Sequence, residues 1–158
     1  MDDDQRLRYS RHLLLDEWSE DAQDQLLQSH ALVIGAGGLG APALMYLASA
    51  GVGRITVVDP DVVDVTNLQR QIIHTTPRVG QTKVSSAAES IAQLNPAVRV
   101  QTLACAADES LLNEWVPQAD VVLDCTDRFA IRQLINRMAR RHARPLVSAS
   151  AVRFDGQI

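Results

Sequence analysis

Short apolar runs alternate with amphipathic segments along most of this chain. The runs predict β-strands at Leu32–Ile34, Ile55–Val58, Val98–Leu103, Val121–Asp124 and Leu146–Ser148. The segments between the runs predict helices over Leu39–Ala50, Thr82–Leu94, Glu109–Trp115 and Arg128–His142. Because strands and helices alternate, the pattern predicts an α/β fold with a Rossmann-like, doubly wound and mostly parallel sheet.

The segment that precedes the first strand has a different character, because charged residues separate its leucines. From Gln5 to about Gln28 it predicts one or two amphipathic helices, with Ser19 or Asp16 as the candidate N-cap. We expect one domain over residues 1–158, with residues 1–29 as a helical N-terminal extension. Residues 151–158 predict the start of a further strand that stops, which favours a truncated protein.

The charge balance and the longest uncharged stretch bear on the partners. A net charge of −4 gives no general attraction to phosphate backbones or anionic lipids, so we expect neither a nucleic-acid nor a membrane partner. Residues 31–53 form 23 consecutive uncharged positions, which is long enough to span a bilayer. Six of them are glycine and Pro42 lies near the middle, which favours a buried strand followed by a tightly packed helix.

The cysteine content bears on redox state and location. Cys105 and Cys125 are the two cysteines, and neither belongs to a C-x-x-C pair, which argues against a disulfide framework or a zinc site. We expect both to be buried as small apolar residues in a reducing compartment. The acidic start, from Met1 to Asp4, lacks the basic region of a secretory signal, so the expected location is the cytoplasm.

Three glycines at G-x-G-x-x-G spacing follow the first predicted strand, and they are Gly35, Gly37 and Gly40. The first permits a tight turn, the second lets backbone N–H groups approach an anion, and the third lets the helix pack on the sheet. Asp59 lies nineteen positions after Gly40, where a carboxylate can accept hydrogen bonds from ribose hydroxyls. The pattern predicts a nucleotide phosphate site at a helix N-terminus. An ordinary turn at a strand end is the alternative for Asp59.

Charged residues further along the chain bear on which nucleotide is bound. A triphosphate carries about four negative charges that cations and a metal must neutralise, whereas NAD needs little beyond the glycine turn. Arg70 and Lys83 are candidate cations, and Asp127 just follows the predicted strand Val121–Asp124, where a carboxylate can hold Mg²⁺. The alternatives are solvated charges for Arg70 and Lys83 and a helix N-cap for Asp127.

Seven short motifs run in order along essentially the whole chain. They are R-Y-S-R at 8–11, G-A-G-G-L-G at 35–40, A-G-V-G at 50–53, N-L-Q-R-Q at 67–71, G-Q-T-K-V at 80–84, N-P at 95–96 and D-C-T-D at 124–127. Together with Asp59 they resemble the ThiF/MoeB/HesA adenylyltransferases, which are bacterial relatives of ubiquitin-activating enzymes. The N-L-Q-R-Q motif with the downstream lysine and the C-T-D element is highly specific, whereas the glycine turn alone is not.

The resemblance implies ATP-dependent activation of the C-terminal glycine of a small ubiquitin-like sulfur carrier protein, as in molybdopterin or thiamine synthesis. The carrier's carboxylate attacks the α-phosphate to give an acyl-adenylate and pyrophosphate. By position, the implied catalytic residues are Arg11, Arg70, Lys83 and Asp127. The implied nucleotide-binding residues are Gly35, Gly37, Gly38, Gly40, Asp59, Asp61, Asn67, Leu68, Gln69, Arg70, Lys83, Asp127 and Arg128.

The resemblance also implies individual roles. Gly38 approaches the phosphates, and Asp59 holds the ribose. Asn67 and Arg70 contact the phosphates, and Lys83 stabilises the developing negative charge. In-line attack on phosphorus needs mainly positioning and charge neutralisation, so no nucleophilic side chain is required. The four histidines are scattered and are interpreted as structural; they are His12, His30, His74 and His142.

Further implied features concern the metal, the assembly and the rest of the family's chain. Asp127 binds Mg²⁺, and Arg11 corresponds to an arginine that enters the neighbouring subunit's site, which implies a homodimer. Arg128 stands where the family commonly has Asn, which places a cation beside the Mg²⁺ site. The family continues into further strands, a zinc site of paired C-x-x-C motifs and the surface that receives the carrier tail. We expect that part to be missing here, which would weaken or abolish activity.

The sequence leaves two alternative functions open. An NAD-dependent oxidoreductase would share the glycine fingerprint and Asp59, but it does not explain the charged residues downstream. A truncated, non-catalytic nucleotide-binding or assembly module is the other, and the six arginines from Arg128 to Arg144 would face its acidic partner. A solvated helix face is the favoured interpretation of those arginines. The identity of the carrier, from the thiamine or the molybdopterin branch, stays open.

Overall fold

The structure, a computed structural model, describes residues 1–158 and contains one five-stranded parallel sheet. Its strands are β1 (His30–Ile34), β2 (Arg54–Val58), β3 (Arg99–Leu103), β4 (Val121–Asp124) and β5 (Leu146–Ser148). They are arranged in the order β3-β2-β1-β4-β5, and every neighbouring pair is parallel. This order is that of a doubly wound nucleotide-binding sheet, so the predicted fold class is confirmed.

Six helices accompany the strands. They are α1 (Asp3–Arg8), α2 (Glu20–Gln28), α3 (Gly40–Ala50), α4 (Lys83–Leu94), α5 (Glu109–Trp115) and α6 (Phe129–Arg141). Helices α3 and α4 pack together on one face of the sheet, and α5 and α6 pack together on the other. Each strand and helix predicted between residues 32 and 148 is present, with ends that differ by at most two residues.

The core consists of two apolar clusters, one on each face of the sheet. Because side chains alternate along a strand, Val33 belongs to the cluster under α3 and α4, whereas Leu32 and Ile34 belong to the cluster under α5 and α6. All five residues of β1 are buried, which is why this strand is a continuous apolar run rather than an alternating one. The central position of β1 places its carboxyl end in the middle of the sheet edge.

A long connection, residues 59–82, links β2 to α4 and lies along the carboxyl edge of the sheet. Buried Arg78 fastens it, because its guanidinium donates to the carbonyl of Ser86 at 3.0 Å and pairs with Glu89 at 3.0 Å. Arg78 also donates to the hydroxyl of Ser90, which in turn donates to the carbonyl of Ile73. These contacts hold the connection against α4 without regular secondary structure, apart from two single 3₁₀ turns.

The N-terminal extension packs at the opposite, amino edge of the sheet. Ser19 caps α2 by accepting from the N–H of Ala22 at 3.1 Å, so Ser19 is the cap and the alternative, Asp16, is wrong. The buried Gln23 amide accepts from Trp18 Nε1 at 3.0 Å and from His12 Nδ1 at 3.0 Å. Its own Nε2 donates to the last carbonyl of α3, Ala50, at 2.9 Å.

The expectation of one further strand over residues 151–158 is wrong. The segment forms a two-stranded antiparallel hairpin, β6 (Ser150–Val152) and β7 (Asp155–Gln157). Arg153 has φ 57° and reverses the chain between the strands, which an apolar-run pattern does not reveal. The side chains of Val152 and Phe154 are exposed.

The uncharged stretch of residues 31–53 is β1 followed by the 11-residue α3. Glycines tighten the turn between them, as the sequence indicates. Across the chain, every helix falls short of the length and apolar character that crossing a bilayer would require.

Candidate functional site

The site lies where the strand order reverses. From β1 the chain proceeds outward to β2 and β3, and it then returns to place β4 on the other side of β1. At such a point the connections leave in opposite directions and open a crevice at the carboxyl ends of the strands, where ligands bind in this fold. The glycine turn after β1 and the segment after β4 form the walls of this crevice.

The glycines of the turn fall into two pairs. Gly35 has φ 99°, and a Cβ there would lie 2.7 Å from the carbonyl oxygen of Cys125. A Cβ at Gly40 would lie 1.9 Å from the carbonyl oxygen of Gly35. By contrast, a Cβ at Gly37 would approach Gln71 to 3.7 Å, an ordinary contact. The fold therefore requires the first pair, and nothing in the chain itself requires glycine at 37.

Gly38 resembles Gly37, since a Cβ at this position would lie 3.5 Å from Cδ of Arg70. The backbone N–H groups of this stretch are unusual as well. The N–H of Gly35 donates to Val58 at 2.8 Å, and the N–H of Ala36 donates to Asp59 at 2.7 Å. The next four N–H groups, those of residues 37–40, donate to no acceptor in the chain. Four free donors at the positive end of the α3 dipole form an anion cradle.

Asp59 shapes this turn. It is 5% exposed, and its carboxylate accepts from the N–H of Ala36 at 2.7 Å and from the N–H of Asp61 at 2.8 Å. The turn interpretation of Asp59 is thus part of its role. Each carboxylate oxygen can accept a further bond, so the predicted contact with a ribose stays open to it.

Arg70 lies beside Gly38 in the cradle, and Lys83 is linked to the turn through Asp61 and Asp59. Lys83 is the single lysine of the chain, and its nearly buried ammonium pairs with Asp61 at 2.9 Å. A solvated charge is therefore the wrong interpretation of Lys83. Arg70 is exposed, and its aliphatic stem lies along Gly38 while its guanidinium reaches the carbonyl of Thr66 at 3.5 Å. Lys83 is therefore paired with a carboxylate, whereas Arg70 is exposed and has no acidic partner.

The N-L-Q-R-Q motif contains a directed hydrogen-bond chain. The carboxylate of Asp64 can only accept, so Thr66 donates its hydroxyl to it at 2.6 Å, and these bonds lower the pKa of Asp64. Asn67 must then donate Nδ2 to Thr66 at 3.1 Å and accept from Gln71 Nε2 at 2.9 Å. This order leaves the buried Oε1 of Gln71 without a partner, and Nε2 of the same amide lies near Gly37. Gln71 is a site residue that the sequence prediction omitted, although it closes the quoted motif.

Two other predicted contacts of this segment are less defined. Leu68 is partly buried and has no polar atom in its side chain, so only its backbone can contact a nucleotide by hydrogen bonding. Gln69 is exposed and makes no side-chain hydrogen bond within the chain. Their roles stay predictions.

The segment after β4 is fixed by hydrogen bonds to Asp124, the last residue of that strand. The buried carboxylate of Asp124 accepts from the hydroxyl of Thr126 at 2.7 Å and from the hydroxyl of Ser148 at 2.8 Å. Asp127 itself is exposed and forms no hydrogen bond or ion pair in the chain. It is not a helix cap, because Arg128 occupies the N-cap position and forms no side-chain cap bond. The N-cap alternative for Asp127 is therefore wrong, and Arg128 is exposed beside it.

The donor set fits a magnesium ion bound partly by the nucleotide. No group of three or more His, Cys, Asp or Glu side chains is placed to hold a metal ion. Mg²⁺ commonly takes one or two carboxylates, several waters and substrate phosphates rather than a full protein cage. One unengaged carboxylate, Asp127, beside an anion cradle meets that requirement.

Arg11 is not brought together with the other predicted residues within one chain. It is exposed on the turn between α1 and α2, next to buried Tyr9, whose hydroxyl accepts from Asn95 at 2.9 Å. Asn95 follows α4, and the ends of α3 and α4 lie at the amino edge of the parallel sheet. The cradle lies at the carboxyl edge, with the length of α3 between them, which is roughly 16 Å for its 11 residues.

The expectation that both cysteines are buried is wrong for Cys105, which is exposed. It follows β3, the edge strand of the sheet, and no element covers it. Cys125 is partly buried under the glycine turn, and burial raises the pKa of its thiol to about 11. The thiol is protonated at neutral pH and is a poor nucleophile.

The arginines from 128 to 144 do not form one free face. Arg132 donates to the carbonyl of Thr126 at 3.2 Å, Arg141 pairs with Glu109 at 3.1 Å, and Arg144 donates to the carbonyl of Pro117 at 2.6 Å. Three of the six thus have partners inside the chain.

Comparison with known proteins shows which family the chain resembles. The profile of the ThiF family matches residues 9–158. The SAMP-activating enzyme E1 of Haloferax volcanii is 47% identical over 150 residues, which cover 95% of this chain and 56% of that protein. The sulfur carrier protein ThiS adenylyltransferase of Escherichia coli is 46% identical over 158 residues, which cover 100% of this chain and 63% of that protein.

Solved structures have the same fold. The crystal structure of E. coli tRNA N6-threonylcarbamoyladenosine dehydratase, TcdA, in complex with ATP superposes with a TM-score of 0.86 at 32% identity. The match covers 93% of this chain and 60% of that one. The chain therefore spans less than two thirds of the length of these relatives.

Proposed function

Because the chain belongs to the ThiF family, we propose that it is an ATP-dependent adenylyltransferase that activates the C-terminal glycine of a ubiquitin-like sulfur carrier protein. The observation that carries the proposal is the row of four unpaired N–H groups at residues 37–40, with Arg70 beside it and Lys83 linked to the same turn through Asp61 and Asp59. Relatives named as ThiS adenylyltransferase and molybdopterin-synthase adenylyltransferase support the carrier as substrate.

The reaction needs positioning and charge neutralisation from this chain. A carboxylate oxygen of the carrier's last glycine attacks the α-phosphorus of ATP, and the bond to the bridging oxygen of pyrophosphate breaks. The N–H groups of the cradle hold the phosphates, and the Asp59 carboxylate accepts from the ribose. Lys83 stabilises the negative charge that develops, since Asp61 already holds its ammonium in place before ATP binds. Arg70, being exposed beside Gly38, contacts the phosphates.

Asp127 is the residue that would hold Mg²⁺, together with the nucleotide phosphates. When bound, the ion would neutralise phosphate charge. Asp124 supports this arrangement indirectly, because it orders the segment on which Asp127 lies. Arg128, exposed beside Asp127, is a further cation for the phosphates.

We also propose that the active form is a homodimer. Arg11 is exposed at the amino edge of its own sheet, too far from its own cradle to contact a nucleotide there. It can serve the cradle of a second copy, which is the role that the family resemblance implies. A cytoplasmic location is in keeping with the free Cys105 and Cys125.

Isothermal titration with Mg·ATP and carrier-dependent ATP–pyrophosphate exchange test the proposal together. We expect saturable binding of Mg·ATP, and exchange with either a ThiS-type carrier or a molybdopterin-branch carrier but not without one. Binding without exchange on either carrier would favour a non-catalytic nucleotide-binding module. Binding of a nicotinamide cofactor with no response to ATP would favour the oxidoreductase and overturn the proposal.

A further inference from the structure

His74 is buried behind the glycine turn and contacts both this turn and α4. Its Nε2 lies 2.9 Å from the carbonyl oxygen of Ala36, inside the turn, and its Nδ1 lies 2.9 Å from the hydroxyl of Ser86, on α4. It is 5% exposed. The same helix begins with Lys83, one turn before Ser86.

The two contacts determine which ring nitrogen carries the proton. A carbonyl oxygen can only accept, so the Nε2–H of His74 donates to Ala36. A hydroxyl can both donate and accept, so in the neutral ring the other nitrogen accepts from the hydroxyl of Ser86. Burial lowers the pKa of His74, which agrees with a neutral ring at neutral pH.

The bond from His74 controls the direction of a cradle donor. In a trans peptide the carbonyl of one residue and the N–H of the next point in opposite directions, and the chain has no cis bond. The Ala36 carbonyl is drawn inward by His74, so the N–H of Gly37 must point outward, toward the crevice. The N–H of Ala36 is held separately by Asp59, which prevents the turn from rotating as a whole.

We propose that His74 is a positioning residue that orients the Gly37 N–H toward the bound phosphates through its bond to the Ala36 carbonyl. The inference rests on the proposed function for the identity of the anion, but not for the geometry. A histidine suits this task, since a single rigid ring spans the distance between the turn and α4. Unlike Lys83, it acts without contacting the nucleotide.

Two variants of equal polarity but different reach test the inference. In His74→Gln the amide nitrogen extends about as far as Nε2 and can still donate to Ala36. In His74→Asn the shorter side chain reaches only the region of Nδ1, so the bond to Ala36 is lost. Ser86→Ala is the matched control, because it removes the partner of Nδ1 and leaves the Ala36 contact intact.

Affinities for Mg·ATP and for adenosine, which has no phosphate, are measured by titration on the folded fraction of each protein. We expect His74→Asn to weaken Mg·ATP binding about tenfold with adenosine affinity within about twofold, as for the loss of one cradle hydrogen bond. His74→Gln and Ser86→Ala are expected to keep both affinities within about threefold of the unmodified protein. An equal loss for ATP and adenosine would indicate a merely structural role and overturn the inference.

Crystal structures of the two His74 variants without ligand provide a readout that does not depend on the proposed function. We expect the Ala36 carbonyl to keep its inward direction in His74→Gln and to rotate in His74→Asn. An unchanged peptide in His74→Asn would overturn the inference even if ATP binds. If the unmodified protein fails to bind Mg·ATP, the proposed function falls, and the direction of this carbonyl still decides the positioning role.

Discussion

The two edges of the sheet treat their polar groups in opposite ways. At the amino edge, Gln23 is fully buried and all of its bonds are made inside the chain, to Trp18, His12 and Ala50. At the carboxyl edge, the N–H groups of residues 37–40 and Oε1 of Gln71 have no partner. Oε1 of Gln71 is buried, and an unpaired buried polar group costs about 1–3 kcal/mol, so folding by itself does not account for its position. The comparison indicates that the polar groups of the amino edge stabilise the fold, whereas those of the carboxyl edge are placed to bind a ligand.

The same contrast exists within the glycine turn. Gly35 and Gly40 are required by contacts with the chain's own backbone, whereas Gly37 and Gly38 have room for a methyl group. The first pair therefore belongs to the folding problem and the second pair to the approach of a ligand. Substitutions can separate the two demands.

Loss of the Lys83 ammonium is expected to have the largest effect on activity. In Lys83→Met the side chain keeps its apolar stem, and Asp61, which is largely exposed, regains water at little cost. We expect carrier-dependent ATP–pyrophosphate exchange to fall about 10²–10³-fold, as when other charge-stabilising donors are removed, with little change in the thermal midpoint. Arg137→Gln, which removes an exposed charge from α6, is the control and should exchange normally. Comparable losses in both variants would contradict the assignment.

The two glycine pairs should respond oppositely to alanine. In Gly40→Ala the new Cβ would lie 1.9 Å from the carbonyl of Gly35, so the turn must shift. We expect a loss of about 3 kcal/mol or more in the free energy of unfolding. Gly38→Ala should keep that free energy within about 1 kcal/mol and still lose at least about tenfold in Mg·ATP affinity. Denaturant melts and titrations measure the two quantities, and normal ATP binding by Gly38→Ala would refute the cradle.

Removal of the buried amide at the amino edge should affect stability alone. Gln23→Leu leaves the carbonyl of Ala50 and the indole N–H of Trp18 without their partner. We expect the free energy of unfolding to fall by about 2–3 kcal/mol. The Mg·ATP affinity of the folded protein should stay within about twofold, because the cradle is at the other edge. Gln25→Leu, at an exposed position of the same helix, serves as the control, and a matching loss of ATP affinity in Gln23→Leu would break the comparison.

Mild acid should produce the smallest change, and it reports on both edges. Burial lowers the pKa of His30 at the amino edge and of His74 at the carboxyl edge, from an ordinary value of 6.5. As the pH falls, these two histidines bind protons in the unfolded chain before they do so in the folded chain. Their contribution to the free energy of unfolding is therefore fully present above pH 6.5 and is lost as the pH falls through the folded pKa values. Urea melts between pH 7 and about pH 5 avoid the range in which most carboxylates titrate. A double variant, His30→Gln with His74→Gln, should flatten this slope, and an unchanged slope would exclude these two residues.

Much of the fold could be predicted, because its signals are local. Helix caps such as Ser19 and Thr82 accept from N–H groups three residues away. Short buried strands are recognised by their apolar composition. The hairpin after β5 was missed, since Arg153 adopts a positive φ that no local residue preference indicated. The exposure of Cys105 was missed as well, because it depends on β3 being an edge strand.

The candidate site was predictable in its residue types but not in their partners. The motifs indicated Asp59, Arg70 and Lys83, yet they did not indicate that Asp61 would hold Lys83 or that Asp59 would pin Ala36. Motif spacing describes which residues come near a ligand. It does not describe the hydrogen bonds that those residues make among themselves, which depend on distances across the sheet.

The sequence by itself determined the alternation of strands and helices, the glycine turn and the presence of cations and a carboxylate after successive strands, because these follow from side-chain chemistry and short-range geometry. Only the tertiary structure decided that Arg11 lies at the far edge, that Gln71 keeps an unpaired oxygen, and that His74 joins the turn to α4. The hydrogen bonds that fix these features connect residues from 12 to 86 positions apart. Their distances are set by the order and packing of the whole sheet.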